Sequence, residues 1–482
     1  MAHYLHYIPR RGTYMENYNF WDHEIWGAVT LMAVLLGSLL VANGLKRVLP
    51  VLKRFLIPSS VLGGLILLIA GIIYESITGT NMFCAPFFGK NGAGTLEVLT
   101  YHGLALGFIA TTLKPSEAKF SKKRSSEIFD TGVTVVSSYL LQGVLGLGIT
   151  IVAAMFSKKI FPAAGALLPF GYGQGTGQAL NYGNIYEMKH GFVGGRSFGL
   201  TIAALGFLSA SFGGVVHLNV LRKRGFKHHS FFEEESETLS LQEIMGANES
   251  PMNGSVDKLT IQLVLICLAY LLAYGMMTGL GTLFESMKSV VFGFNFLMGV
   301  IAAVIIKAIN NLLMKKGIVR HQYINSFLMT RLSGLFFDIM IVAGIAAIRI
   351  SLLKDYWLVI LILAVSGAVL TYNYSYYIAK KLYPEYVEEQ FMVTYGMLTG
   401  TASTGVMLLR ELDPEFKTPA SENMVYMNFP AMVFGFPLML LATIAPDRPV
   451  LVLEIMAVFF VVMNVILFRS MIFKKKKAEK AG

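Results

Sequence analysis

Charge is scarce in this chain. Only 14% of its 482 residues are Asp, Glu, Lys or Arg, whereas 55% are apolar. Soluble domains carry about 25% charged residues, so a soluble fold with a single anchor is excluded. Cysteine is scarcer still. Cys84 and Cys267 stand far apart without ligand spacing, which rules out a disulfide framework and a cysteine metal site. Paired-histidine metal motifs and a nucleophile elbow are missing, so the sequence predicts no enzyme and no cofactor. Short alternating strands of about 10 residues, the mark of a membrane barrel, are also missing. The formal charge of +11 sits in short clusters beside apolar runs, as orientation-setting loop charges do. It predicts a bilayer, and no nucleic acid, as the partner.

What the chain has is long apolar runs. A hydrocarbon core about 30 Å thick needs about 20 apolar residues as a helix. Spans are predicted at 24–45, 55–74, 95–113, 131–156, 194–222, 258–280, 290–313, 324–348, 356–379, 422–445 and 450–473. The fold class expected is an all-α polytopic membrane protein. The expected organisation is an extracytoplasmic segment 1–23, a first transmembrane half 24–222, a cytoplasmic linker 223–257 and a second half 258–445. An extra C-terminal span and basic tail fill 446–482.

Two further apolar segments, near 161–190 and 390–412, are cut by glycine and small polar residues. The positive-inside rule decides how they are read. If each enters and leaves on one side, the clusters Lys46–Arg54, Lys114–Arg124, Arg222–Lys227, Lys315–Arg320, Lys380–Lys381 and Lys474–Lys477 all fall in the cytoplasm, with the N-terminus outside. Lys158 and Lys159 fall outside. Both segments are therefore expected to be re-entrant, the first from outside and the second from the cytoplasm. Gly63 and Gly299 are 236 residues apart, and Gly173 and Gly400 are 227 apart. These similar offsets predict an inverted-topology repeat, whose sites lie near the bilayer midplane at discontinuous helices.

The first segment reads FPAAGALLPFGYGQGTGQALNYG and the second YGMLTGTASTGVMLLRELDP. Pro169 and the alternate glycines 171, 173, 175 and 177 discourage a continuous helix. Non-helical backbone at membrane depth must be buried in protein or line a wet cavity. Bare carbonyls there suit a cation, and a restarted helix suits an anion. Tight helix packing by small residues is the alternative role. The candidate substrate-binding residues are Gln174, Gly175, Thr176, Gly177, Thr401, Ser403, Thr404 and Arg410, the last as a bidentate carboxylate partner. The candidate cation ligands are Gly173, Thr399, Gly400, Asn428 and Asp338. Ionisable groups in spans are functional candidates by default. Asp338 is either a cation or proton carrier or a structural pair. Arg331 either snorkels or binds substrate, and His102 either shuttles protons or makes an interhelical hydrogen bond. The tyrosines of TYNYSYYI, around Asn373, read as an interfacial belt.

GQGTG (173–177) and GTASTG (400–405), together with IPSSVLGG (57–64), FGLTIAALGFLSASFGG (198–214) and VYMNFPAMVFGFPLML (425–440), resemble the bacterial sodium/glutamate symporter family, in the right order over most of 24–445. The resemblance implies sodium-coupled uptake of glutamate or a similar dicarboxylic amino acid, an elevator-like movement, a homodimer and an inner-membrane location. Sodium would be the coupling ion. The chain departs from the family in Gln174, where the family has histidine, in Ser403, where it has proline, and in its linker and extra C-terminal span. Carriage of another organic anion, proton coupling, a channel and a membrane enzyme are the competing expectations.

Overall fold

Helices fill the computed structural model, which describes residues 19–49, 52, 54–114, 121–225, 257–285, 288–318, 321–413, 417–469 and 471–472. Most of the linker and of the basic tail lies outside these residues. The elements are α1 (His23–Val48), α2 (Ser59–Thr78), α3 (Gly92–Leu113), α4 (Lys122–Phe156), α5 (Leu168–His190) and α6 (Gly195–Lys223). There follow α7 (Lys258–Leu283), α8 (Lys288–Gly293), α9 (Asn295–Lys315), α10 (Ser326–Ala346) and α11 (Trp357–Leu382). The chain continues as α12 (Val387–Thr399), α13 (Ala402–Arg410), α14 (Ala420–Tyr426), α15 (Asn428–Ile444) and α16 (Pro449–Leu467). Ten helices among the described residues are long and apolar enough to cross a membrane, and the bent pair α14–α15 makes an eleventh. The chain is thus an all-α, multi-pass membrane protein. The interrupted segments α5 and α12–α13 are not among the crossing helices.

α4 organises the rest. Its 35 residues extend about 52 Å at 1.5 Å per residue, well beyond one hydrocarbon core. α11 runs antiparallel to it. The Tyr356 hydroxyl donates to the Lys159 carbonyl (2.9 Å) at one end, and the Tyr383 hydroxyl meets that of Thr131 (2.8 Å) at the other. α16 seals the outer side of this pair, since the Asn464 amide donates to Ser137 Oγ (3.0 Å) and accepts from the Tyr374 hydroxyl (2.8 Å). These contacts correct the aromatic-belt expectation. Tyr374 is tied to α4 and α16, Tyr372 binds His217, and Tyr376 donates to Glu388. Tyr377 is the exposed one, at 51%. Asn373 is exposed and donates to the Val369 carbonyl one turn back.

The chain leaves α4 and folds straight back along it. Gly165 reaches Gly146 so closely that a Cβ on Gly165 would lie 1.8 Å from the Gly146 carbonyl oxygen. Thr150 bridges the join, accepting from the Gly165 amide (3.1 Å) and donating to the Pro162 carbonyl (2.6 Å). A second antiparallel pair, α3 with α10, is held by Ser333, whose hydroxyl donates to the Gly107 carbonyl at 3.0 Å. Outward faces carry bare aliphatics such as Ile77 (78%) and Val458 (66%), as lipid-facing surfaces do.

Candidate functional site

Both interrupted segments are hairpins. In the first, the Phe161 and Phe192 rings stack at 4.7 Å and those of Phe170 and Tyr182 at 3.9 Å, so the two arms lie side by side with their tip near residue 175. Gly175 makes the reversal, with φ 75° and ψ −169° inside α5. Only glycine adopts this region readily. In the second, a Cβ on Gly396 would lie 2.9 Å from Gly405 Cα, so α12 and α13 fold against each other. Gly400, at φ −132° and ψ −110°, breaks the helix, and Thr401 restarts it as N-cap, its hydroxyl accepting from the Thr404 amide at 3.4 Å.

The hairpins approach from opposite ends of α4. The first has its base at the C-terminal end, where the Phe161 amide donates to the Tyr356 hydroxyl (2.9 Å). The second has its base at the N-terminal end, where Tyr386 donates to Glu127 (2.9 Å) and Arg124 to Glu422 (2.9 Å). Their tips meet between. A Cβ on Gly175 would lie 3.6 Å from the Thr401 methyl and 3.7 Å from the Phe207 ring. Gly206 of α6 slots between them, with Tyr172 of one hairpin and the Thr399 carbonyl of the other against it.

One turn of α4 holds both tips. The Tyr139 hydroxyl donates to the Gly173 carbonyl (2.8 Å), and the Gln142 amide donates to the Leu398 carbonyl (3.0 Å). These residues are three apart and so share a helix face. Tyr139 is the central residue of α4, 17 from each end (139 − 122 and 156 − 139). The tips therefore sit at half the depth of the longest helix. Tyr139→Phe is expected to destabilise the protein by about 1 kcal/mol, the net worth of one hydrogen bond, read as a lowered Tm of the purified protein. An unchanged Tm would show that the Gly173 carbonyl is not held this way.

The site residues expected from sequence divide into two groups. Gly175 and Thr401 meet, and Gln174 stands beside them half-buried, its side chain making no hydrogen bond among the described residues. Thr404 is buried, its hydroxyl 3.4 Å from that of Thr401. The side chain of Ser403 lies outside the described residues. The other candidates at the breaks are engaged within the fold. Thr176 is fully buried and its hydroxyl turns to the Met340 carbonyl (3.3 Å). Gly177 is packed beneath Leu104 and Met340. The Gly173 carbonyl already accepts from Tyr139, and the Thr399 hydroxyl donates to the Tyr395 carbonyl (2.7 Å). Gly400 contributes the break itself.

Three candidates lie away from the tips. Asp338 faces Ser60 of α2. It stands two residues from Met340, about 200° around the helix, and so faces away from Thr176. Arg410 is exposed at the far end of α13, nine residues or about 13 Å from Thr401. Asn428 is exposed and donates to the Val425 carbonyl (3.2 Å). It lies beside Met427, whose carbonyl abuts Gly132, about 15 Å along α4 from Gln142. His102 hydrogen-bonds with Tyr270 across α3 and α7, and Arg331 is exposed with its guanidinium over the Phe327 ring.

Sequence reasoning missed Tyr139, Gln142 and Gln178. Gln178 is buried within one turn of the first tip, and its Nε2 has no hydrogen-bond partner among the described residues. Its signal, a glutamine directly after GQGTG, was in plain sight. Tyr139 and Gln142 carried none, because their importance lies in what stands opposite them. The tips bring together hydroxyls, amides and main chain, all neutral. No protein-family model matches the chain, and neither does any curated protein.

Proposed function

We propose that this chain is a secondary active transporter, carrying glutamate or a similar dicarboxylic amino acid into the cell with sodium. The observation that carries the reading is the meeting of two broken hairpins, approaching from opposite ends, at half the depth of α4. Discontinuous helices that converge at the midplane are where carriers of this architecture bind solute and ion. Residues 24–222 and 258–445 act as two inverted halves, and the hairpins enter from opposite faces of a bacterial inner membrane. Gln174, Gln178 and Thr401 offer donors to the substrate's carboxylates, while main-chain and hydroxyl oxygens take the ion. Bound cation and anionic substrate partly cancel each other's charge, which lowers the cost of crossing. The hairpins and α6 move as one body against α1–α3 and α7–α10 in an elevator-like step, in a homodimer, with no covalent chemistry.

The resemblance of GQGTG and GTASTG to the sodium/glutamate symporters supports the substrate and the ion. The test is uptake of radiolabelled glutamate by proteoliposomes under an inward sodium gradient, compared with potassium and with a proton gradient. Saturable uptake driven by sodium alone is expected. Uptake indifferent to sodium would remove the mechanism, and ohmic single-channel currents would replace the carrier by a pore.

A further inference from the structure

The Gln142 amide is buried, 1% exposed, and only half of it is used. Nε2 donates twice, to the Leu398 carbonyl at 3.0 Å and to Thr371 Oγ1 at 2.9 Å. A main-chain carbonyl only accepts, so Leu398 dictates which end of the amide faces it. Oε1 must point the other way, and there it has no hydrogen-bond partner among the described residues. A second oxygen without a partner among the described residues lies one helical turn from Thr371. Ser375 follows Thr371 by four residues on α11, on the same helix face. It is 1% exposed, and its hydroxyl also lacks a partner among the described residues. Ser138, one turn before Gln142 on α4, spends its proton on the Thr134 carbonyl (2.8 Å) and keeps its lone pairs.

A buried polar atom without a partner is destabilising, and a native fold keeps one only for a reason. Here two such oxygens occupy the seam between α4 and α11, next to the tip of the second hairpin. Amide, hydroxyl and carbonyl oxygens are the ligands hard cations take. Gln142, Thr371, Ser375, Ser138 and the Leu398 carbonyl are all neutral. Such a set does not compensate a divalent ion taken out of water, but it suits a monovalent one.

We propose that Gln142 Oε1 and Ser375 Oγ are ligands of a buried monovalent-cation site of sodium size, set between α4, α11 and the tip of the second hairpin. The proposal rests on the transport reading and locates its ion. The site differs from the five cation ligands expected from sequence. Because Gln142 also grips Leu398, an ion on its other end fixes the amide and with it the second tip.

Sodium binding by the purified full-length protein tests this, measured by scintillation proximity with ²²Na⁺ and by Tm across a sodium chloride series balanced with choline. A ligand of the folded state raises Tm in a saturable way. Wild type is expected to show that rise with sodium. Ser375→Ala, which removes one hydroxyl and little volume, is expected to raise the half-saturating sodium concentration at least tenfold, and Gln142→Leu to do the same or more. Ser366→Ala, on the same helix away from the seam, is expected to leave it unchanged. If Gln142→Leu does not fold, Ser375→Ala alone decides. Sodium binding unaltered in Ser375→Ala overturns the proposal, as does a wild type indifferent to sodium, lithium and potassium. Wild-type uptake is read separately. Sodium bound at this site without any uptake would sink the transport reading and leave the cation site standing.

Discussion

Gly175→Ala is expected to lower the initial rate of solute uptake at least tenfold while leaving a folded protein. Space is not the obstacle, because the new methyl would meet Thr401 and Phe207 at 3.6 and 3.7 Å, ordinary contact distances. The backbone is. At φ 75° and ψ −169° an L-residue carries strain of about 1–3 kcal/mol. The chain relieves it by rotating Gly175, and that rotation moves the first tip away from Thr401. The strain is small beside the packing of a chain this size, so Tm should fall by only a few degrees, since roughly 2–4 °C follow each kcal/mol. Gly71→Ala is the control, in a helix with nothing within 4 Å of the added methyl. Uptake equal to wild type in Gly175→Ala would mean that the tip takes no part in the solute path.

Gly165→Ala is expected to do the opposite and damage the fold itself. The added Cβ would lie 1.8 Å from the Gly146 carbonyl oxygen, 2.1 Å from its carbon and 2.8 Å from the Leu147 nitrogen. All three are main-chain atoms inside α4, and none turns aside as a side chain would. α4 and the start of the first hairpin must part, and the Thr150 bridge to Gly165 and Pro162 breaks with them. Overpacking costs about 1–3 kcal/mol and sometimes more, and an immovable neighbour puts this case at the upper end. The expected result is a Tm lower by roughly 10 °C, or loss of the monodisperse peak in size-exclusion chromatography. Unaltered stability would show that the hairpin does not lie so close to α4. Together the two variants separate a glycine needed for its dihedrals from one needed for its lack of volume.

Much of the architecture was legible along the chain. A span is a local property, since twenty apolar residues in a row must satisfy their own backbone wherever lipid surrounds them. The eleven spans read from sequence each overlap one of the ten helices long and apolar enough to cross or the bent α14–α15 pair, though α4 starts nine residues before the span expected at 131–156. The two interrupted segments were legible for the same reason, as glycine and proline act on the backbone where they stand.

The site's membership was less legible. The rule that a charge in a span is functional pointed to Asp338, yet its side chain leaves the helix on the face towards Ser60. Arg410 follows the hydroxyl cluster closely in sequence, but a helix carries it about 13 Å away. The tyrosines of α11 looked like a belt because their composition suits one, and their partners on α4, α6, α12 and α16 were out of view. Conversely, Tyr139 and Gln142 lie in an unremarkable stretch of α4.

The sequence by itself determined which stretches are long and apolar enough to span, where the chain breaks and that alternate glycines free the backbone there. Each of these follows from hydrophobic length or backbone freedom within a few neighbouring residues. Tertiary structure alone decided that the two breaks meet, that one turn of α4 clamps both, and which oxygens are left without partners. Those depend on contacts between residues as far apart as Gln142 and Leu398, and a hydrogen bond is decided by which groups the fold sets face to face, not by their order along the chain.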